Sequence, residues 1–476
     1  MSNVAAERQK SEPPATDPRR VLTLCSGVTF IAFLDFFVVN IAFPDISRDF
    51  HHTPINSVTW VVSGYAAMVA AALAPAGRVA DSIGRRRVFL WSLVVFTLAS
   101  VACGFAPSIG WLIAARFVQG AAAGGMIPSA LGLILACTPR ERIPRAIGTW
   151  SAAAGFSAVV GPAVGGVLLH AFGWRSVFFI NLPFGCALLV GAVIVLPRQL
   201  PGSGDRLPDP AGSLGLGLGI AGIVTALTEG DSWGWHSART LTLGIVGVVL
   251  VLAAVARSRT RSAPAIDTDT WRNPAYSIAN LGLALLCASM FAWNIGAPLF
   301  ATTIWHWSVL KTAAALTIGA VSSMAGSLLA GRLVDQAKRL AVAMLGCALL
   351  AASNLIWASA LFGTTPNFLR GWLPAAVLGG LGLGIGLTCL STVAAGAMLP
   401  VKFAGGLGMT LAVRQVGGAV GVAGFAAILA AGSGPTHVAG YHHVFVAAAA
   451  VSIVSAFVIG GLKLALRVPA TTGQGA

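Results

Sequence analysis

"GRVADSIGRRR", residues 77–87, is a short polar stretch set between two long apolar runs. Its single acid, Asp81, is followed by three consecutive arginines, Arg85, Arg86 and Arg87, within a frame of Gly77 and Gly84. Charges at two adjacent helix ends make charge–dipole contacts across so short a turn. Contacts of that kind latch one conformation of a rocking bundle. Arginines placed only to fix topology account for Arg85–Arg87, though not for the Gly-x-x-x-Asp-x-x-Gly frame.

The flanking runs set the class. The chain is 56% hydrophobic and 9% charged, with a mean hydropathy of +0.83; a soluble domain carries about 25% charged residues. Apolar runs recur at lengths near 20 residues, enough to cross roughly 30 Å of hydrocarbon. We read an all-α polytopic membrane protein with fourteen spans: 21–42, 58–76, 88–105, 111–136, 147–170, 176–196, 212–228, 240–256, 275–304, 313–331, 340–362, 372–396, 405–431 and 442–464. Span 9 is overlong and predicts a break near Asn294 or Pro298.

Lys and Arg orient the spans. With the N-terminus inside, the cytoplasmic segments hold 23 of the 30 basic residues, the outer loops hold five, and Arg116 and Arg414 remain inside spans. This bias places both termini in the cytoplasm of a cell (inner or plasma) membrane protein. It also accounts for the net charge of +15 without nucleic acid as a partner. The seven cysteines are unclustered and mostly within apolar spans, which predicts neither a disulfide frame nor a metal site.

Residues 197–211, "PRQLPGSGDRLPDPA", read as a loop of Pro, Gly and Asp. "GRLVD" from Gly331 repeats "GRVAD" from Gly77 at a 254-residue offset, each ending an even-numbered span. Spans 1–6 then match spans 9–14, and spans 7–8 are an inserted pair. The expected divisions are a cytoplasmic tail (1–20), an N-terminal six-helix bundle (21–196), a linker (197–211), two inserted helices (212–256), a cytoplasmic loop (257–274), a C-terminal six-helix bundle (275–464) and a cytoplasmic tail (465–476). Paired halves with a midplane site between them are a recurring plan of secondary transporters.

Of fifteen acids, Asp35 alone lies deep inside a span. A carboxylate at the centre of a membrane helix costs roughly 2.5–3.5 kcal/mol on insertion scales, so a partner or a purpose is expected. Asp35 lies about 10 Å below the outer end of span 1, and Arg116 about 8 Å below that of span 4, at 1.5 Å per residue. We expect the two to pair, or to share a water network, as a proton-loading site; a static ion pair that only fixes packing is the alternative. Arg414, beside Gln415 near mid-membrane, either contacts substrate or backbone carbonyls, or packs helices.

These stretches carry a resemblance. Residues 77–87 resemble the signature loop of the major facilitator superfamily. "RFVQGAAAGG" (116–125) resembles its fourth-span motif, which the family implicates in proton transfer. "GTWSAAAGFSAVVGPAVGG" (148–166) resembles the antiporter motif of its drug exporters. "LDFFVVNIAFP" (34–44), "WRSVFFINLPFG" (174–185) and "RQVGGAVGVAG" (414–424) resemble further stretches of the fourteen-span drug:proton antiporters. The resemblance implies a major facilitator fold of two six-helix bundles plus two inserted helices. It implies proton antiport of the multidrug-efflux type by alternating access, coupled through Asp35 and Arg116. Gly77, Asp81, Gly84 and Arg85–Arg87 are the implied cytoplasmic gate loop, and Gly161, Pro162, Gly165 and Gly166 the implied hinge or seam. Phe37 stands where threonine is usual, Ser157 where glycine is usual, and "GRLVDQAKR" lacks the later glycine. No second-half membrane acid of the kind that recognises cationic drugs is found.

Candidate substrate-binding residues are polar or aromatic groups inside spans near the axis: Phe36, Phe37, Asn40, Trp60, Tyr65, Gln119, Met290, Trp293, Asn294, Arg414 and Gln415. An apolar pocket with few polar groups suits drug-like amphiphiles. One buried acid against two buried arginines favours neutral, zwitterionic or weakly anionic cargo. No phosphate-binding loop of the G-x-x-x-x-G-K-[ST] kind occurs, so a proton gradient, with no cofactor and no enzymatic centre, is the expected drive. A monomer in the bilayer is expected. The rival readings are an exporter of an endogenous metabolite or lipid, a proton-coupled importer on the same fold, and a non-transporting sensor.

Overall fold

A computed structural model describes residues 17–50, 53, 55–197, 207–332, 335–431 and 436–465. Most of the expected N-terminal tail, residues 198–206 of the expected linker and nearly all of the C-terminal tail lie outside the described residues. Among the described residues, fourteen helical segments are long and apolar enough to cross a membrane. They are α1 (Pro18–Asp49), α2 (Trp60–Ile83), α3 (Arg85–Gly104), α4 (Ile109–Cys137), α5 (Ile143–Phe172), α6 (Asn181–Val195), α7 (Pro210–Trp233), α8 (Ala238–Ser258), α9 (Pro274–Thr303), α10 (Val309–Ala330), α11 (Gln336–Trp357), α12 (Leu373–Gly396), α13 (Phe403–Ala431) and α14 (Val438–Ala465). One helical turn, Ser176–Phe179, precedes α6.

Local chemistry explains many of the boundaries. Asp17, Ser108, Asp209, Ser237, Asn273 and Ser308 each accept a backbone N–H at a helix start, satisfying one of its orphan donors. Gly84 takes φ 108° between α2 and α3, a conformation that side chains with a Cβ avoid. This positive φ lets the chain reverse in one residue.

Two expectations on span ends need correction. α9 runs unbroken through Asn294 and Pro298. A proline removes one intrahelical donor, and a membrane helix packed among neighbours tolerates that loss. α11 ends at Trp357 instead of continuing to 362. There the chain turns back so that Phe362 stacks on Trp357 with ring centres 3.8 Å apart.

α1–α6 and α9–α14 form two six-helix bundles. α7 packs into the seam between α2 and α13, with the Gly217 position 2.7 Å from the Ala71 carbonyl for any added Cβ. α8 packs on α7 and turns most of its surface outward. Large apolar side chains such as Trp91, Val167, Ile194, Leu252 and Phe457 are exposed on the bundle's outside. On a soluble protein such a belt would drive aggregation; here it faces lipid.

Candidate functional site

Asp35 and Arg116 meet. The carboxylate and guanidinium, from α1 and α4, are fully buried and 2.5 Å apart. Gln119, one turn along α4 from Arg116, accepts from its Nη1 at 2.8 Å and donates to Asp35 Oδ1 at 2.9 Å. Arg116 Nε donates to the Val61 carbonyl at 2.9 Å. Its Nη2 has no hydrogen-bond partner among the described residues. The guanidinium instead lies 4.0 Å from the Tyr65 ring centre, a cation–π contact. Tyr65 is held in turn by donating to the Ala32 carbonyl at 3.2 Å.

A further ligand of Asp35 is one that sequence reasoning passes over. Asn181, the first residue of α6, donates to Asp35 Oδ1 at 2.7 Å and to Ser100 Oγ at 3.0 Å. It lies inside the quoted 174–185 stretch; the available signal was a buried-span amide, the same signal that singled out Gln119. Three donors, from Arg116, Gln119 and Asn181, thus converge on the Asp35 carboxyl group. Opposite charges close together in a low-dielectric interior attract strongly, and hydrogen bonds satisfy their remaining valences.

The remaining candidates divide by place. Phe36 stacks near Tyr65 and edges Phe37. Asn40 is exposed and donates to the Phe36 carbonyl. Phe36 and Phe37 directly follow Asp35 along α1, and Asn40 lies five residues beyond it. Trp60 lies between Phe117 and Trp233, on the side of α7. In the other half, Met290 and Gln415 are half-buried and Asn294 is exposed. The Trp293 ring covers Gly319. Arg414 reaches the Cys287 sulfur, and among the described residues no carboxylate is paired with it. The second half thus brings no acid to the site.

Residues 77–87 form a second buried cluster. Asp81 and Arg85 pair at 2.8 Å with almost no exposure. The Asp81 carboxylate also accepts the backbone N–H groups of Ala404 (3.2 Å) and Gly405 (2.7 Å), at the start of α13. Arg85 donates onward to the Pro400 carbonyl. The acid is therefore bonded across the seam between the halves. Gly77 permits this: a Cβ there would sit 2.3 Å from the Ala404 carbonyl oxygen. Arg86 donates to the Val193 carbonyl of α6 and stays outside the seam. Among the described residues no bond joins Arg87 to the seam. On the other side of the seam, Gly148 of α5 closes on the Ser327 carbonyl of α10 at 2.6 Å for an added Cβ. The bundle is thus closed at the Gly84 end.

The loop after α8 straps the same end. Arg78 donates to the Pro264 carbonyl at 3.1 Å, and Lys402 pairs with Asp267 at 2.7 Å. Burial pushes the Asp267 carboxyl up, but hydrogen bonds from Lys402 and Thr270 outweigh it and hold it below the ordinary carboxylate value. Asp209 is likewise held low, chiefly by its bond from Arg257 at the end of α8.

The 161–166 stretch lies within the continuous helix α5. Added Cβ atoms at Gly161 and Gly165 would meet Phe37 (2.8 Å) and Val38 (3.3 Å) of α1, whereas Gly166 faces open space. Gly161 and Gly165 therefore form a close α1–α5 contact directly beside Asp35, as small-residue faces do in membranes.

Known proteins resemble this chain throughout. The family model described as Major Facilitator Superfamily matches residues 25–213. "Multidrug resistance protein B homolog" of Mycobacterium tuberculosis (strain H37Rv) is 30% identical over 427 residues, covering 87% of this chain and 77% of that protein. "Puromycin resistance protein pur8" of Streptomyces alboniger is 32% identical over 429 residues, covering 89% and 84%. The crystal structure of the human organic anion transporter MFSD10 superposes with a TM-score of 0.71 over 94% of this chain and 100% of that one, at 14% identity, a likeness of fold.

Proposed function

Because the chain belongs to the major facilitator superfamily, as a transporter akin to its multidrug-resistance members, we propose that it exports drug-like amphiphiles in exchange for protons by alternating access. One observation carries the reading: a carboxylate within a membrane-spanning helix, paired with one arginine and sealed from solvent. Intramembrane ionisable residues are expensive and serve ion pathways by default. In the proposed cycle the outward-open form takes a proton at Asp35 from outside and releases cargo. The inward-open form loses that proton and accepts cargo. The arrangement described here, closed at the Gly84 end, corresponds to closure toward the cytoplasm under the charge bias of the loops.

Buried Arg116 and half-buried Arg414, against a single mid-span acid that is already paired, support neutral, zwitterionic or weakly anionic cargo. Puromycin, named for one relative, belongs in the first panel beside ethidium and an anionic dye. Protein reconstituted in vesicles with an acid exterior should accumulate cargo outside against its gradient. Asp35→Asn should abolish this uphill component while leaving downhill exchange. Uphill export retained at the wild-type rate by Asp35→Asn would reduce the ion pair to scaffolding.

A further inference from the structure

The hydrogen bonds around Asn181 form a chain from the acid into the start of α6. Asp35 Oδ1 accepts from Asn181 Nδ2 at 2.7 Å. The same amide nitrogen donates to Ser100 Oγ at 3.0 Å, and Ser100 donates to the Phe178 carbonyl at 2.8 Å. Asn181 and Ser100 are buried to 1% and 0% exposure, so water cannot replace these bonds without rearrangement.

The chain ends where α6 is interrupted. The turn Ser176–Phe179 and α6 are separated at Ile180, where the backbone stays helical (φ −58°, ψ −30°) but the run of backbone hydrogen bonds is broken. The cause is Pro183, which has no N–H to give the Phe179 carbonyl four residues back. The neighbouring Phe178 carbonyl is taken by Ser100. The span is thus jointed one residue before the side chain that holds the acid. Breaks of this kind in membrane helices sit at proline and are places where a helix bends.

We propose that Asn181 is a positioning residue that ties the protonation of Asp35 to movement of α6 at this joint. This rests on the reading of Asp35 as the proton site. When one proton adds to the carboxylate, the acid becomes an O–H donor and loses acceptor strength toward its amide partners. The bond from Asn181 to α1 is then weakened, while its bond to Ser100 of α3 is kept. The charged and titratable groups facing the site are Arg116 and Tyr65 on α4 and α2, and Cys103 on α3, whose sulfur lies 3.7 Å from Gln119 Oε1. None of the three bonds Asn181, so the link from acid to joint runs through the amide alone.

The test uses the full-length protein in lipid nanodiscs. Infrared difference spectra against pH follow the carboxylic-acid C=O band that Asp35→Asn removes. In Asn181→Leu, which deletes a donor to the anion, that band should emerge about one pH unit higher than in wild type. Asn181→Ser keeps a hydroxyl donor and should fall between the two; if the Leu variant fails to fold, an Asn181→Ser midpoint at the wild-type pH overturns the proposal. Hydrogen exchange of peptides covering 176–186 should rise to a similar degree in Asp35→Asn and Asn181→Leu, compared at one pH. A folded Asn181→Leu whose band emerges at the wild-type pH, or 176–186 exchange unchanged in Asp35→Asn, overturns the proposal and leaves the proton site standing. Absence of any Asp35-dependent band in wild type overturns the proton site itself.

Discussion

The two halves of the molecule place polar groups at matching depths and fill those places differently. The 254-residue offset between Gly77 and Gly331 also carries Asp35 onto Ser289 and Ser100 onto Asn354. In the second half these form a buried neutral cluster: Asn354 donates to Ser289 Oγ at 3.0 Å, and Ser289 lies 2.7 Å from Ser452 Oγ on α14. α1, α3 and α6 meet at the charged cluster as α9, α11 and α14 meet at the neutral one. The gate loops differ in the same sense. Asp81 is buried and bonded across the seam, whereas Asp335 at the repeat-related place is exposed. Polar side chains thus stitch the helices in both halves, and among the described residues the mid-span cluster of the first half contains a carboxylate where that of the second is neutral.

The largest expected effect tests the cores against each other. Arg116→Ala leaves a buried carboxylate without its counter-ion and should destabilise the protein by about 3–5 kcal/mol. Ser289→Ala removes neutral interhelical bonds to the Ala448 carbonyl, Ser452 and Asn354, each worth roughly 0.6 kcal/mol in membranes. Thermal unfolding in detergent should separate the two clearly; equal losses would mean that charge in the first half has no special weight.

The gate loops come next. Asp81→Asn removes charge from two backbone bonds and an ion pair, worth about 2 kcal/mol. That corresponds to a roughly 30-fold shift toward opening at the Gly84 end, readable as spin-label distances across the seam. Asp335→Asn, at an exposed position, should move the same distances little, within about 0.5 kcal/mol. A matching shift in both would contradict the asymmetry. Gly77→Ala should also open the seam, by about 1–3 kcal/mol of overpacking against Ala404, while Gly166→Ala should be silent.

The smallest effect concerns the strap. Asp267 is held below its ordinary value, so its pair with Lys402 contributes fully at neutral pH. That contribution fades as pH falls through the lowered value, since protonation removes the charge. Lys402→Gln should cost under about 1 kcal/mol at pH 7. Its stability curve should merge with that of wild type once pH falls below the lowered Asp267 value, as the wild-type carboxyl takes up its proton.

Much of the site was legible in the chain. A lone acid in an apolar run has to find a partner, and only Arg116 lay at a fitting depth on a nearby span. Helical rise alone set that depth. Gln119, expected to line the substrate path, instead bridges Arg116 and Asp35, a role its place three residues from Arg116 on one face permits. Asn181 did not follow, because it belongs to a span distant in sequence and only helix packing turns it toward Asp35. The cross-seam bonds of Asp81 were equally hidden. Their donors are backbone N–H groups of Ala404 and Gly405, which side-chain identity does not advertise. The stack of Trp357 and Phe362 that ends α11 likewise depends on a return of the chain that hydropathy cannot register.

By itself the sequence determined the membrane, the fourteen crossings, the repeat and the identity of the buried acid. These follow from hydrophobicity and helical periodicity, which act along one segment at a time. Only the tertiary structure decided which amides hold that acid, that the second gate loop leaves its own acid exposed, and that α7 closes the seam between α2 and α13. Those depend on distances and directions between helices, and the energy of a hydrogen bond or a close glycine contact exists only once two segments have met.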